Sequence, residues 1–248
     1  MTDCRILWPK SSAQAIWQWS AVAGKLGATF PLPRPFLLCI RGVKPGDAED
    51  HEPVHEPRYD DAFVFSAPGE EPVLFAAASH AYQRDSKASP PGPDGRGAVG
   101  SIRPGRYMLK DTRNGAEVVF RITQPDGFEQ LPAWRDYDHD GKLSPAEMQR
   151  SEEARTGAQV GDDGAWASAV LLHGGLDEPN HPDGSAPDHK YSIACFTAPL
   201  KYRKLMSEKA KPYDGKIDVV LELATKVVEI VASLPSWDSI APAPGSVA

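Results

Sequence analysis

Cysteine is scarce: Cys4, Cys39 and Cys195 are the only three in 248 residues. So small and odd a set in a long chain excludes a disulfide framework and fits synthesis in a reducing compartment, the cytoplasm. Long apolar runs are missing as well. No stretch approaches the ~18 consecutive apolar residues of a spanning helix, so no membrane span is expected. The N-terminal MTDCRILWPK has no basic patch leading into an apolar segment, which excludes a cleavable secretory signal. Positive charge is in deficit, with 27 Lys and Arg against 34 Asp and Glu, for a net charge of −7 and an isoelectric point near 5.5. That balance argues against nucleic acid or an anionic membrane as the main partner. Internal repeats are absent too.

Proline and glycine, by contrast, are plentiful at 24 and 21, which favours many turns and loops over a helix bundle. Serines open and glycines close SSAQAIWQWSAVAGKLG (11–27), a capped helix. FLLCIRGV (36–43) reads as a strand, and AFVFSA and PVLFAAAS as a strand pair around PGEE. RYMLKD and EVVFRIT, joined by TRNGA, form a hairpin. Residues 144–156 favour helix and 166–173 a buried strand. APLKYRKLMSEKA and GKIDVVLELATKVVEIVASL read as helices. The second carries a stripe of Ile217, Val220, Leu221, Ala224, Val227, Val228 and Val231. The expected fold is mainly β with peripheral helices (α+β), a single domain over 1–248. An N-terminal helical segment (1–30) precedes a β core (35–200), and helices follow over 199–235.

The most specific short motif is DYDHDGKLSPAE, Asp136 to Glu147. Carboxylates stand at loop positions 1, 3 and 5 (Asp136, Asp138, Asp140), and Gly141 takes position 6, where the chain must turn sharply. Lys142 offers its carbonyl at position 7, Ser144 a hydroxyl at position 9 and Glu147 a bidentate carboxylate at position 12. Alternate residues of one tight loop thus supply the oxygens a hard cation wants. The motif resembles an EF-hand calcium loop across all twelve residues. Ca2+ is therefore the expected metal, against the plainer reading of an acidic surface turn. The preceding QPDGFEQLPAW, with Pro125 and Pro132, is a poor helix, and a lone loop is unlike paired calcium sensors. The expectation is a structural clamp, not a switch.

A second constellation lies in SAVLLHGGLDEPNHPDGSAPDHKYSIACFTAP (168–199). An apolar run delivers His173 onto Gly174 and Gly175, a polar loop follows, and Cys195 arrives on a second short apolar run. A thiol becomes a useful nucleophile when an imidazole at hydrogen-bond distance takes its proton, and adjacent strand ends permit that. Gly174 leaves room beside the imidazole. Backbone N–H groups at Ala194 and Cys195 can hold the oxyanion of an acyl-transfer intermediate. Against this stands the ordinary role of a free cysteine as a small buried hydrophobe.

With eighteen residues between His173 and Ser192, LLHGG and SIAC together resemble the His-Gly … Ser-x-Gly-Cys signature of the L,D-transpeptidase catalytic domain. GSIRPGRYML (100–109) is similar to the strand entrance that precedes it in that family. The resemblance spans about 95–200 and is nearest to compact members without a leader, of phage and secreted-effector type. It implies an L,D-transpeptidase-like β-sandwich or sheet core, with Cys195 as nucleophile, His173 as base and Ser192 as a residue orienting the histidine. Implied substrates are peptidoglycan stem peptides, with transpeptidase, carboxypeptidase or exchange outcomes. Implied location is the periplasm or cell wall, reached by a secretion apparatus or phage-type lysis, with an immunity protein as a further partner. Two residues depart from the pattern: Ala194 stands for Gly, and Ile193 stands where many members have a second histidine. Ala194 thus keeps open a calcium-stabilised binding module without catalysis, and a different cysteine amidase or hydrolase is a third alternative.

Other candidates draw plainer readings. Cys4 and Cys39 are expected to pack. His181 and His189 are expected to be solvated loop residues, and Pro53 prevents the helix that would align His51 and His55 on zinc. His80, Tyr82, Arg84, Trp134 and Arg135 are candidates for the edge of a groove.

Overall fold

The computed structural model describes residues 4–29, 32–42, 61–79, 99–112, 118–135, 137, 144–157, 166–167, 170–174 and 196–240. In chain order these form α1 (Ser12–Lys25), β1 (Phe36–Arg41), β2 (Asp61–Ser66), β3 (Val73–Ala77), β4 (Val99–Ile102), β5 (Gly105–Asp111) and β6 (Phe120–Thr123). There follow β7 (Leu131–Arg135), α2 (Pro145–Gly157), β8 (Trp166–Ala167), β9 (Leu171–His173) and β10 (Phe196–Thr197). α3 (Leu200–Ala210), β11 (Lys216–Leu223), α4 (Ala224–Ala232) and α5 (Trp237–Ile240) complete the described chain. The architecture is mixed, a large sheet with helices around it, as expected for a mainly β fold.

Eight strands form one sheet in the order β10-β9-β6-β5-β11-β1-β2-β3, and β4-β7-β8 form a second. The large sheet curls until its edges nearly meet. One residue beyond β3, Ala78 pairs with Thr197 of β10: Ala78 N donates to Thr197 O at 2.9 Å and Thr197 N to Ala78 O at 2.8 Å. Closure of this kind removes the exposed edges that make open sheets prone to aggregate.

Side-chain alternation along the central strands divides the apolar residues between two cores. Leu37 and Cys39, Phe63 and Phe65, and Ile217, Val219 and Leu221 face one core, where Ile102, Leu131, Ala133 and Ala167 of the smaller sheet join them. Phe36, Leu38 and Ile40, Ala62 and Val64, and Val220 face the other, covered by Trp19, Val22 and Ala23 of α1 and by Ala224 and Val227 of α4. Each Val, Leu, Ile or Phe side chain so buried contributes roughly 1.5–3 kcal/mol. α1 starts where the sequence said: Ser11 Oγ accepts from Gln14 N at 3.2 Å as N-cap. α3 lies against the first core through Met206 and Ala210, and Tyr202 stacks on Phe75 with ring centroids 4.2 Å apart.

Two expectations are corrected. Residues 215–234 are not one helix, and 199–235 is not wholly helical: Lys216–Leu223 is a strand hydrogen-bonded between β1 and β5, and only from Ala224 does helix begin. Ile217, Val220, Leu221 and Ala224 satisfy a helical stripe, but Ile217, Val219 and Leu221 face one core and Val220 the other, so both faces of β11 are covered and the run is apolar at consecutive positions. Asp214 (φ 56°) and Gly215 (φ 70°), both left-handed, end the preceding helical stretch and turn the chain into the strand. Second, 166–173 is not one strand. Ala167 pairs with Leu131 in the smaller sheet, whereas Leu171 pairs with Arg121 in the larger.

Candidate active site and acidic loop

β9 lies between β6, antiparallel, and β10, parallel. His173 is its last residue, half-buried, and is paired with Thr197. The ring Nδ1 stands 2.9 Å from Gly174 O. A carbonyl can only accept, so Nδ1 carries the proton and Nε2 keeps the lone pair in the neutral ring. The backbone is fixed as well, since Ala198 N donates to His173 O at 3.1 Å. Gly174 is buried directly after it.

Cys195, Ser192 and Ala194 lie outside the described residues, as do Gly175, His51, His55, His80, Tyr82, Arg84, His181 and His189. Phe196, which follows Cys195 in sequence, is described: it pairs with Leu172, the residue before His173. Phe196 is 0% exposed, its ring 5.8 Å from that of Phe63, so the start of β10 is anchored in the first core. Cys39 packs, as expected. Burial first, then the negative charge of Asp61, pushes its thiol well above the ordinary range, against an opposing effect of Arg41. A neutral thiol inside a core is inert.

Of the acidic loop, Asp136, Asp138, Asp140 and Lys142 lie outside the described residues, while Tyr137, Ser144 and Glu147 are described. Glu147 is only 8% exposed, and its carboxylate gathers donors from both ends of the loop. Oε1 accepts from Tyr137 N at 2.6 Å; Oε2 accepts from Ser144 N at 2.9 Å and Ser144 Oγ at 2.8 Å. Glu147 N donates back to Ser144 Oγ at 3.3 Å, a reciprocal capping box at the start of α2, with Pro145 first in the helix. A strand, β7, enters this loop and a helix, α2, leaves it. Trp134, nearly buried, ties the two by donating from Nε1 to Glu152 Oε1 at 3.2 Å. Arg103 braces them further, donating to Ala133 O at 3.4 Å and to Ser151 O. Among the described residues no group of three or more His, Cys, Asp or Glu side chains is disposed to hold a metal ion.

One polar cluster beside the seam escaped the sequence. Asp61 Oδ2 accepts from Ser79 N at 2.7 Å and Ser79 Oγ at 2.6 Å, and Oδ1 accepts from Gly42 N at 2.8 Å. Arg41 donates from Nε to Ser79 Oγ at 3.0 Å, from Nη1 to Ile102 O at 2.7 Å, and from Nη2 to Ser79 O. The only signal was a carboxylate opening the apolar run DAFVFS, which predicts no partner.

No helix among the described residues is long and apolar enough to cross a membrane. Compared with known proteins, the chain matches no family model and none of the curated sequences.

Proposed function

We propose that this chain is a cysteine-dependent acyl transferase or peptidase of peptidoglycan stem peptides, of the L,D-transpeptidase or L,D-carboxypeptidase type, built on a core of that family's kind. The observation that carries the reading is the pairing of Phe196 with Leu172, beside a histidine whose Nδ1 is engaged by Gly174 O. Cys195 immediately precedes Phe196, whose partner Leu172 immediately precedes His173, a sequence adjacency that supports the reading. Nε2 is the nitrogen that can take the thiol proton.

In the proposed reaction Cys195 Sγ loses its proton to His173 Nε2 and attacks the carbonyl carbon of a diaminopimelate residue in the stem peptide. The C–N bond to the following D-amino acid breaks, and the proton on Nε2 passes to the leaving nitrogen. Water or an amine then attacks the thioester, giving the acid or a new amide and returning the thiol. Peptide N–H groups at Ala194 and Cys195 hold the oxyanion, with Ser192 and Gly174 setting the histidine.

Calcium is the second element of the reading. The all-oxygen donor set of Asp136, Asp138, Asp140, Lys142, Ser144 and Glu147 suits a hard cation, and the Glu147 carboxylate already draws together both ends of the loop. A bound ion would supply a fixed charge that clamps β7 to α2. Calcium is scarce in cytosol and plentiful outside, so the clamp closes after delivery to the periplasm or wall, by a secretion apparatus or lysis. An immunity protein in the producing cell is the matching partner.

The test is incubation of purified muropeptides with wild type and Cys195→Ala, followed by mass spectrometry of the products. Stem-peptide cleavage or exchange by wild type alone is expected; equal turnover removes the catalytic claim. Thiol titration adds a second readout, because an inert Cys195 would favour a non-catalytic binding module.

A further inference from the structure

We infer that Arg41, Asp61 and Ser79 are positioning residues that hold the seam of the large sheet, and through it the strand on which His173 sits. The inference rests on the functional reading above. It starts from burial: Asp61 is 2% exposed and Ser79 0%, so neither is a solvated surface group. Every polar atom of Ser79 is engaged. Its N and Oγ donate to Asp61, while its Oγ and O accept from Arg41. A residue gripped by a carboxylate on one side and a guanidinium on the other has little freedom to shift.

Ser79 matters because of its neighbour. The preceding residue, Ala78, makes both of the hydrogen bonds described between the β3 and β10 ends, and its partner Thr197 is the residue paired with His173. Position therefore passes from Arg41 and Asp61, each bonded to Ser79, through Ala78 to Thr197, and from Thr197 to the end of β9. Arg41 also holds Ile102 O, at the end of β4, so one guanidinium joins the ends of β1 and β4 to the residue after the seam. A fold that needed only a filled core could place apolar side chains here, since burying a carboxylate is costly unless its bonds are satisfied. Directional bonds to one peptide fix where that peptide lies.

Ser79→Ala and Arg41→Lys test this, with Ser79→Thr, which keeps the hydroxyl, as the rescuing variant. Ser79→Ala removes the hydroxyl and leaves the bonds to its N and O. On muropeptides both substitutions are expected to lower kcat about tenfold, through misplacement of the reacting groups. KM should change by less than about twofold, because ground-state binding is not altered. Ser79→Thr should recover most of the rate. Amide hydrogen exchange should quicken at Ala78 and Thr197 while the amides of β11 keep their protection. A full kcat with a lowered thermal midpoint overturns the inference, leaving only a packing role. So does unchanged exchange at Thr197. A wild type that turns over no stem peptide overturns the functional reading and the positioning role with it; the exchange data then still judge the seam clamp by itself.

Discussion

Glu147→Gln separates the capping role of this carboxylate from its proposed role as a calcium ligand. Without calcium, the carboxylate ties Tyr137 N to Oε1 and Ser144 N and Oγ to Oε2. Glutamine keeps one acceptor oxygen and is accepted in a capping box, but one of these N–H groups loses its partner and the charge assistance goes. The expected cost is about 1–2 kcal/mol. With calcium the difference is larger. Position 12 should give two oxygens and a full charge, and glutamine offers one neutral oxygen. Calcium at a few hundred to a thousand times its Kd stabilises the wild type by roughly 3–4 kcal/mol, whereas a Kd raised to the free concentration leaves about 0.4 kcal/mol. For a chain of this size 1 kcal/mol moves Tm by about 2–4 °C, so calcium should raise the wild-type Tm by roughly 6–16 °C and that of the variant by about 1 °C. Scanning calorimetry with calcium and with a chelator measures both. Equal calcium gains in the two proteins, or no gain in the wild type, would refute the metal assignment and leave the capping box alone.

Gly215→Ala should cost about 1–2 kcal/mol in urea denaturation, because φ there is 70° and an added Cβ would stand 3.1 Å from Asp111 Cβ; an unchanged midpoint would contradict the tight turn into β11. Arg203→Met removes a fully buried donor from Ala198 O (3.0 Å) and Val118 O and should cost about 3 kcal/mol; a loss under 1 kcal/mol would show that these bonds contribute little. Burial holds the Cys39 thiol neutral in the folded chain while the unfolded thiol ionises near about pH 8.5, so above that pH the folded state binds the extra proton. Its contribution to stability is thus complete at lower pH and falls as pH rises, by at most about 1.4 kcal/mol per unit; wild type and Cys39→Ala losing stability in parallel from about pH 8 to 10 would rule that out.

Local signals were legible. The Ser144–Glu147 capping box is equally local but shows in the sequence only as part of the acidic loop, whereas Ser11, whose hydroxyl caps α1, acts within three residues of its partner, so the sequence displays that cap whole. The same holds for the β2–β3 and β5–β6 hairpins. β11 was misread because a strand covered on both faces loses its polar alternation, and Val220 joined Ile217 and Leu221 into a false helical face although it packs in the other core. The split between β8 and β9 was hidden for another reason: an apolar run states that it is buried, not which sheet buries it. At the site, His173 could be read from an apolar run ending on two glycines. The Arg41–Asp61–Ser79 cluster could not, because its partners are 18 and 38 positions apart and nothing local marks a polar residue as destined for another one far along the chain.

The same distinction bears on why His173 sits where it does. Among the described residues β10 contributes two residues to the sheet, and across the seam β3 is joined to it through a single residue pair. Pairing this short adds little ladder energy, and in a closed sheet such a seam is where opening costs least. Two braces oppose that opening from different sides. Phe196 is wholly buried against Phe63, which contributes roughly 1.5–3 kcal/mol through its side chain alone. Ser79 is held by Arg41 and Asp61 on the other flank, through directional bonds and not through area. Apolar burial fixes how deep β10 sits, but a greasy contact tolerates sliding along the strand; hydrogen bonds to one particular peptide do not. If His173 is the base proposed above, it needs the second kind of restraint, and among the described residues its strand lies next to Thr197, where both kinds meet.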